Sequence, residues 1–488
     1  MAIDPMFIND AGGKFKIPLK DDGNKTVAYL LWGDQVRVEE EKGDSVRVKT
    51  GRFVNGGWIP RSALTRESLM EIYVIDVGQG DGVLVRTMDD RWHVVDAGIA
   101  NEKQMTKKGA ATFIRWKFQE DLGRKTVSLQ NVILTHPDFD HYGGMLDLLS
   151  GTLYDGRTFP VEVVHFWHSG MGRFAKEPKL GRSVTGSVAD LPSPDYGFDA
   201  RGEFIIELLD DKLSFSQPTR PFEPTFAQLA ALVASVPQEV GRLSQDTHFL
   251  PGYEPGTGPV AIQVLGPILE KVIDKGFGLR RLSSESVTRN GHSVVLRLDY
   301  DKVRVLLTGD LNTYSQRLLL SYHPIQDFAV DVAKGCHHGS DDIEARFVRA
   351  LSARATIVSS GDNEDYAHPR PQVLGASARY GREAKGVKGE VLAPLLYSTE
   401  LARSVRLCYA AGVRKKGDDK SLIKGPDAEI KPAEAGAKFR PLGITPISTD
   451  LVYGLVNVRT DGKRVLLGYM KENGNDFDIQ VFRAGVEP

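Results

Sequence analysis

The run Thr135-His136-Pro137-Asp138-Phe139-Asp140-His141-Tyr142-Gly143-Gly144 constrains this chain more than any other stretch. It sets two imidazoles and two carboxylates within six residues, directly after residues 131–135, whose apolar character reads as a buried strand. Unpaired ionisable groups are costly to bury, so this is a poor segment for building a core and a good one for holding two cations. In an extended segment residues i, i+2 and i+4 share one side. His136, Asp138 and Asp140 can therefore converge, and His141 reaches a second position beside Asp140. Pro137 stiffens the loop. One loop cannot complete two coordination shells, so further donors must come from elsewhere. Asp310 in Thr308-Gly309-Asp310, His337 and His338 in Cys336-His337-His338-Gly339-Ser340, and His368 before Pro369 are the candidates. A polar surface loop with scattered histidines is the competing reading. It is weakened because the later motifs also stand at the ends of apolar runs.

The 488 residues suffice for two or three domains and a large core. Apolar (41%) and charged (26%) fractions are those of a globular protein. A net charge of −2 provides no global basic field for nucleic acid, although a local groove can still be basic. The two cysteines, Cys336 and Cys408, argue against a disulfide framework. No apolar run approaches a membrane span. Met1-Ala2-Ile3-Asp4-Pro5 reads as a tag remnant and Met6 as a natural start without a signal peptide. Cytoplasmic residence with no membrane partner is the expectation.

Residues 1–24 read as tag remnant and leader. Residues 25–66 carry short alternating strands separated by Gly33-Asp34 and Lys42-Gly43-Asp44 and closed by Gly57-Trp58-Ile59-Pro60. The main unit is expected over 70–488, opening with a strand that runs into Asp76-Val77-Gly78-Gln79-Gly80-Asp81. A second strand ends at Asp96, and a helix is expected over 110–122. Residues 151–258, rich in Pro, Gly and Ser, read as an inserted lid with one helix near 225–236. Strands then resume at 260–265 and form a hairpin ending in Asp310. A last hairpin is expected over 451–469.

Residues 25–66 resemble a bacterial SH3-like barrel, which implies binding of a peptide, wall polymer or protein partner. The remainder resembles the metallo-β-lactamase superfamily, and more closely the hydrolase domain of the ComEC competence proteins. Asp76 to Asp81, the His136 to Gly144 block, Asn290-Gly291-His292-Ser293 ahead of Asp310, His337 to Ser340, and His368-Pro369 match that family's motifs in order. The resemblance implies an α/β fold, an αββα sandwich with a dinuclear metal site at one edge of its sheets. It implies that His136 and Asp138 hold one divalent ion, Asp140 and His141 the other, and that Asp310 bridges them. His338 fits the late histidine ligand, although His337 could exchange with it. His368 is implied as a ligand or general acid. Asn290 stands where many members carry a histidine, and His292 is a nearby substitute. Asp96 is read either as the partner of a metal-loop imidazole or as a turn residue. Asp76, Gln79, Asp81 and Ser340 are expected around the site or at the substrate. Asp138 in place of a histidine makes the first site richer in oxygen, which favours harder ions such as Mn²⁺. Zn²⁺, which accepts Asp, stays open.

Two such ions lower the pKa of bound water to ~7–9 and generate a hydroxide nucleophile. The expected substrate is a phosphodiester, either nucleic acid or a smaller molecule, with Asp140, Asp310 and His368 at the reacting centre. Arg280, Arg281 and Arg289 either add local positive charge or lie on a solvated face. Lactone, ester or thioester hydrolysis is the second reading. It would depend on a pocket wall to which His165, Trp167 and His168 contribute, unless they pack in the core. A non-catalytic binding module with a structural metal is the third. Cys336 reads as a small buried side chain.

Overall fold

The strand that delivers the histidine–aspartate loop, Val127–Leu134, lies inside an eleven-stranded sheet between Trp92–Ala97 and Val161–His168, parallel to both. The structure is a computed structural model, and it describes residues 5–104, 106–190, 193–360, 368–399, 406–415, 428–432, 446–450, 454–471 and 475–485. Parallel strands need cover on both faces, and the alternation of side chains supplies it. Val132 and Leu134 face one way, toward Ile114, Met145, Leu148, Phe226 and Leu229. These come from the helices Ala110–Trp116, Phe139–Ser150 and Pro224–Ser235. Ile133 faces the other way, into a core shared with Ile262, Val264, Leu296, Leu298 and Val305 of a second sheet.

The second sheet has six strands in the order Val260–Gly266, Val295–Tyr300, Val303–Leu307, Val332–Lys334, Ala355–Val358 and Leu395–Ser398. Its outer face is covered by Thr313–Tyr322 and Ala345–Leu351 through Leu318, Leu319 and Phe347. The layers are therefore helix, sheet, sheet, helix, the αββα arrangement. Each buried Val, Leu or Ile contributes about 1.5–3 kcal/mol, and a one-residue slip would turn each of them to the wrong face. That energy fixes the strand ends from which the candidate ligands project. The first sheet is completed by the strand Val456–Thr460, which pairs antiparallel with Met70–Val74, followed by Arg464–Met470 and Phe477–Arg483. The expected terminal hairpin is thus present, although residues 451–453 of its predicted span lie outside the described residues.

Two expected boundaries move. Residues 1–24 are not a leader throughout, because Met6–Ile8 and Lys16–Lys20 join the N-terminal sheet of seven strands. Ile17 and Leu19 share its core with Leu30, Val46, Val48 and Ile59. Pro18 marks Lys16–Lys20 as an unpromising strand, yet its Lys-Ile-Pro-Leu-Lys alternation buries every second residue. Nor are residues 151–258 one inserted lid. Val161–His168 pairs along its length with Val127–Leu134, Glu239–Arg242 extends the same sheet, and Phe226, Leu229 and Val233 join its core. What stands apart is a small sheet of Ser183–Ser187, Arg201–Ile205, Gly276–Arg280 and Glu270–Val272.

The N-terminal unit is all-β and is held to the sandwich by packing and charge. Phe15, Leu31 and Trp32 meet Leu466, Phe477 and Val481, and Arg459 pairs with Asp34 at 2.8 Å with little of either side chain exposed. Among the described residues no helix is long and apolar enough to cross a membrane.

Candidate metal centre

Asp140, His141, Asp310 and His338 each bring one ligand atom into a group whose members all lie within 4.8 Å of one another. Each comes from the end of an element. Asp140 and His141 open the helix Phe139–Ser150. Asp310 follows the strand Val303–Leu307 through Thr308 and Gly309. Gly309 has φ +54°, and a Cβ there would lie 2.7 Å from the Ser293 hydroxyl. His338 follows Val332–Lys334 in a tight turn in which His337 (φ 46°) and His338 (φ 52°) both adopt left-handed backbone. Such conformations cost about 1–3 kcal/mol each and persist only where the surroundings enforce them.

Hydrogen bonding fixes the tautomer of three imidazoles. His141 Nδ1 lies 2.7 Å from Asp96 Oδ2 and His338 Nδ1 lies 3.1 Å from the Ser359 carbonyl. Both partners are acceptors, so both Nδ1 atoms carry the proton. His136 Nδ1 lies 3.2 Å from the hydroxyls of Thr135 and Ser293. Thr135 already donates to Asp96 (2.6 Å) and Ser293 to the Asn290 carbonyl (2.7 Å). His136 Nδ1 must therefore donate as well. All three rings present a bare Nε2, and all three Nε2 atoms are buried without a hydrogen-bond partner, as is Asp310 Oδ1.

His141 Nε2 and His338 Nε2 approach Asp310 Oδ2 to 3.2 and 3.0 Å. Lone pairs facing a carboxylate at that distance repel unless positive charge lies between them. Burial alone would lower both imidazole pKa values. Asp310, joined by Asp96 at His141 and Asp81 at His338, raises both well above the ordinary value. Burial pushes the Asp310 carboxyl up, and the imidazoles of His338, His141 and His337 outweigh it and hold it well below. A divalent cation answers the same demand, and a donor set of two His and two Asp suits Zn²⁺ or a harder ion.

A ring of supporting contacts surrounds this group. Asp96, at φ 55°, accepts from the Thr135 backbone N–H (2.8 Å) as well as from His141. The Asp310 N–H donates to Ser293 Oγ (3.0 Å). Lys334 pairs with Asp81, which also lies 3.2 Å from His338 Nδ1.

A metallo-β-lactamase superfamily model matches residues 75–351, more than half of the chain and all four of these residues. The chain belongs to the metallo-β-lactamase superfamily. By family it is a metal-dependent hydrolase, with Asp140, His141, Asp310 and His338 as its candidate metal group. ComE operon protein 3 of Bacillus subtilis (strain 168) is 31% identical over 91 residues, 18% of this chain but only 12% of that relative. Similar solved structures include the metallo-β-lactamase fold protein YhfI from Bacillus subtilis (11% identity, TM-score 0.30, 68% of this chain and 98% of the other). Another is Tm1679, a metal-dependent hydrolase of the β-lactamase superfamily (13% identity, TM-score 0.32, 68% and 97%).

The other expected site residues are placed as follows. His136 lies against His141 with ring centroids 4.1 Å apart and the rings tilted by 52°, and burial, helped by His141, lowers its pKa to about 4. Asp138, the superfamily ligand position expected beside His136, turns instead to two guanidiniums. Its Oδ1 accepts from Arg173 Nη1 and Arg289 Nε, each at 2.8 Å. The Asn290 amide nitrogen donates to its Oδ2 (3.0 Å). His337 Nε2 lies 3.8 Å from Asp310 Oδ2, and the His368 ring centroid lies 6.1 Å from that of His337. Asp76 accepts from the Gly78 N–H (3.3 Å), and the Gln79 carbonyl accepts from Ile99 (3.2 Å). Ser340 Oγ accepts from the Asp342 N–H within its own loop (3.3 Å).

His292 is no substitute ligand. Its Nε2 donates to the Arg280 carbonyl (2.7 Å), and burial pushes its pKa down to about 4. Arg280 is neither solvated nor facing the group, because it is buried in a two-point pair with Glu270 (2.7 and 2.6 Å). Arg281 lies 3.4 Å from Glu203. His165 stacks on Trp167, whose indole donates to Asn131 (2.8 Å), and His168 is buried beside Phe215. Burial raises the Cys336 thiol to about 11, which leaves it unreactive. Sequence reasoning missed Lys334, Ser359 and Arg173. Lys334 had a signal, a charge inside an apolar strand, whereas Arg173 and Ser359 had none.

Proposed function

We propose that this chain hydrolyses phosphodiester bonds, in nucleic acid or in a smaller phosphodiester. One observation carries the reading. The four-residue metal group lies beside Asp138, whose partners Arg173 and Arg289 are partly exposed at 20% and 12% of their side chains. Guanidinium N–H groups match the geometry of phosphoryl oxygens, and an ester or lactone carbonyl has no use for two of them. A divalent cation held by Asp140, His141, Asp310 and His338 supplies Lewis acidity and an acidified water.

The protein's own groups do the rest. Asp96 and Ser359 orient the two imidazoles, and Ser293 fixes the Asp310 backbone. Arg173 and Arg289 place the non-bridging oxygens, and His368 delivers a proton to the leaving alkoxide. For the N-terminal unit, the 530 Å³ groove beside Trp58 and Pro60 is the place we assign to a peptide partner.

The test is hydrolysis of bis-p-nitrophenyl phosphate by metal-stripped protein after Mn²⁺ or Zn²⁺ is restored, with Asp140→Ala as control. Turnover that needs metal and vanishes in the variant supports the reading. No turnover from metal-loaded protein rejects it in favour of lactones and thioesters. With nucleic acid as substrate, activity should fall as salt rises.

A further inference from the structure

The superfamily resemblance implies two cations, and the donors among the described residues fit only one of them. We infer that this chain holds a single divalent cation, on Asp140, His141, Asp310 and His338, and that the Arg173–Asp138–Arg289 clamp keeps a second one out. The inference rests on the metal centre and not on the identity of the substrate.

A second ion beside the first would need His136 Nε2, Asp138 and Asp310 Oδ1. Two of these donors are ready, since His136 Nε2 and Asp310 Oδ1 are buried and without hydrogen-bond partners. The third is committed elsewhere. Asp138 Oδ1 already accepts two charge-assisted bonds at 2.8 Å, and Oδ2 accepts one from Asn290 at 3.0 Å. A cation on that carboxylate would stand within a few ångströms of two fixed guanidiniums, where like charges repel.

Nor are the guanidiniums free to withdraw. Arg173 Nε is held by Glu223 (2.8 Å) and its Nη1 also reaches the Pro137 carbonyl (3.3 Å). Arg289 stands on the helix Glu285–Gly291, whose first turn is capped by the Ser284 side chain. Asp138 and Glu223 balance the two arginines, so the clamp adds no net charge. What it offers is directed donors. Among the described residues Arg289 holds Asp138 through Nε, which leaves its Nη groups for an anionic ligand. Without Asp138, the expected ligands left on this side among the described residues are His136 and Asp310, two donors, too few to hold a second cation tightly against water.

The experiment counts metal. Chelator-stripped full-length protein is titrated with Mn²⁺ or Zn²⁺, and bound ion is measured by calorimetry and by elemental analysis after gel filtration. One ion per chain is expected for the wild type and, equally, for Asp138→Asn, because Asp138 is not a ligand. Arg173→Ala/Arg289→Ala should release the carboxylate and admit a second ion. Two ions in the wild type with one lost in Asp138→Asn would overturn the inference. A folded double-arginine variant that still binds one ion would also overturn it, because the arginines would then not be what excludes the second. Metal counts do not depend on any substrate, so a failed phosphodiester assay leaves this result standing.

Discussion

His141 Nδ1 donates to Asp96 Oδ2 across 2.7 Å, with neither side chain exposed to solvent. The bond leaves His141 Nε2 bare and aimed at the ligand group. Asp96→Asn keeps the left-handed backbone available, because Asn tolerates it. It turns an amide N–H toward Nδ1, which moves the imidazole proton to Nε2 and removes the donor. Partners of this kind are worth about 10–100-fold in metal affinity. Chelator competition should show a loss of that size with little change in unfolding midpoint.

Gly80 packs its Cα against the backbone of Asp140. A Cβ there would lie 1.6 Å from the Asp140 carbonyl oxygen, and φ is +96°. Gly80→Ala must move one of the two backbones, at a cost of about 3 kcal/mol or more. Lowered thermal stability together with weakened metal binding is the expected outcome. An unchanged melting temperature would show that the glycine turn is not where the structure places it.

Asp34 joins the N-terminal unit to the sandwich through Arg459 (2.8 Å) and Arg52 (3.1 Å). Burial pushes its carboxyl up, and the two arginines outweigh it and hold the pKa below the ordinary 3.8. The sign follows from linkage: this contribution is complete above the unfolded value and is lost as pH falls through the lower folded value. Asp34→Ala leaves Arg459 buried and unpaired, and should cost about 3–5 kcal/mol in urea unfolding at neutral pH.

His93 is buried between the Tyr253 hydroxyl (2.9 Å) and the Asn131 amide (2.9 Å). Asn131 Oδ1 already accepts from Trp167, so its amide N–H donates to His93 Nδ1, His93 Nε2 donates to the Tyr253 hydroxyl, and a second proton on Nδ1 would oppose the Asn131 donor. Burial drops the pKa from 6.5 to about 3. The unfolded chain takes up this proton first, so stability is full above pH 6.5 and declines as pH falls toward 3. His93→Gln should flatten stability against pH across that interval, by up to about 1.4 kcal/mol per pH unit.

The sandwich was legible because its strands alternate. Val303, Val305 and Leu307 face one core and Leu306 the other, a pattern visible in the residues themselves. Ligand positions were legible because His, Asp and Gly stand together where those strands end. Val161–His168 was hidden by its Gly- and Pro-rich flanks, and Lys16–Lys20 by its proline. The destination of Asp138 was not legible. Its ion pairs reach Arg173, 35 residues away, and Arg289, 151 residues away, and no local pattern announces a contact set by the docking of separate layers. His292 misled for a related reason, because a histidine two residues from a motif asparagine can point either way until its helix is packed.

The strand Val456–Thr460 sits between Met70–Val74 and Arg464–Met470, although every residue of the metal group precedes position 340. During synthesis the edge of Met70–Val74 therefore stays unpaired until long after the ligands have emerged. Pairings so distant in sequence form slowly, and an open strand edge invites association with other chains. The centre is thus assembled early and secured late, so a nascent or truncated chain could carry its metal ligands before it has a finished sheet to hold them.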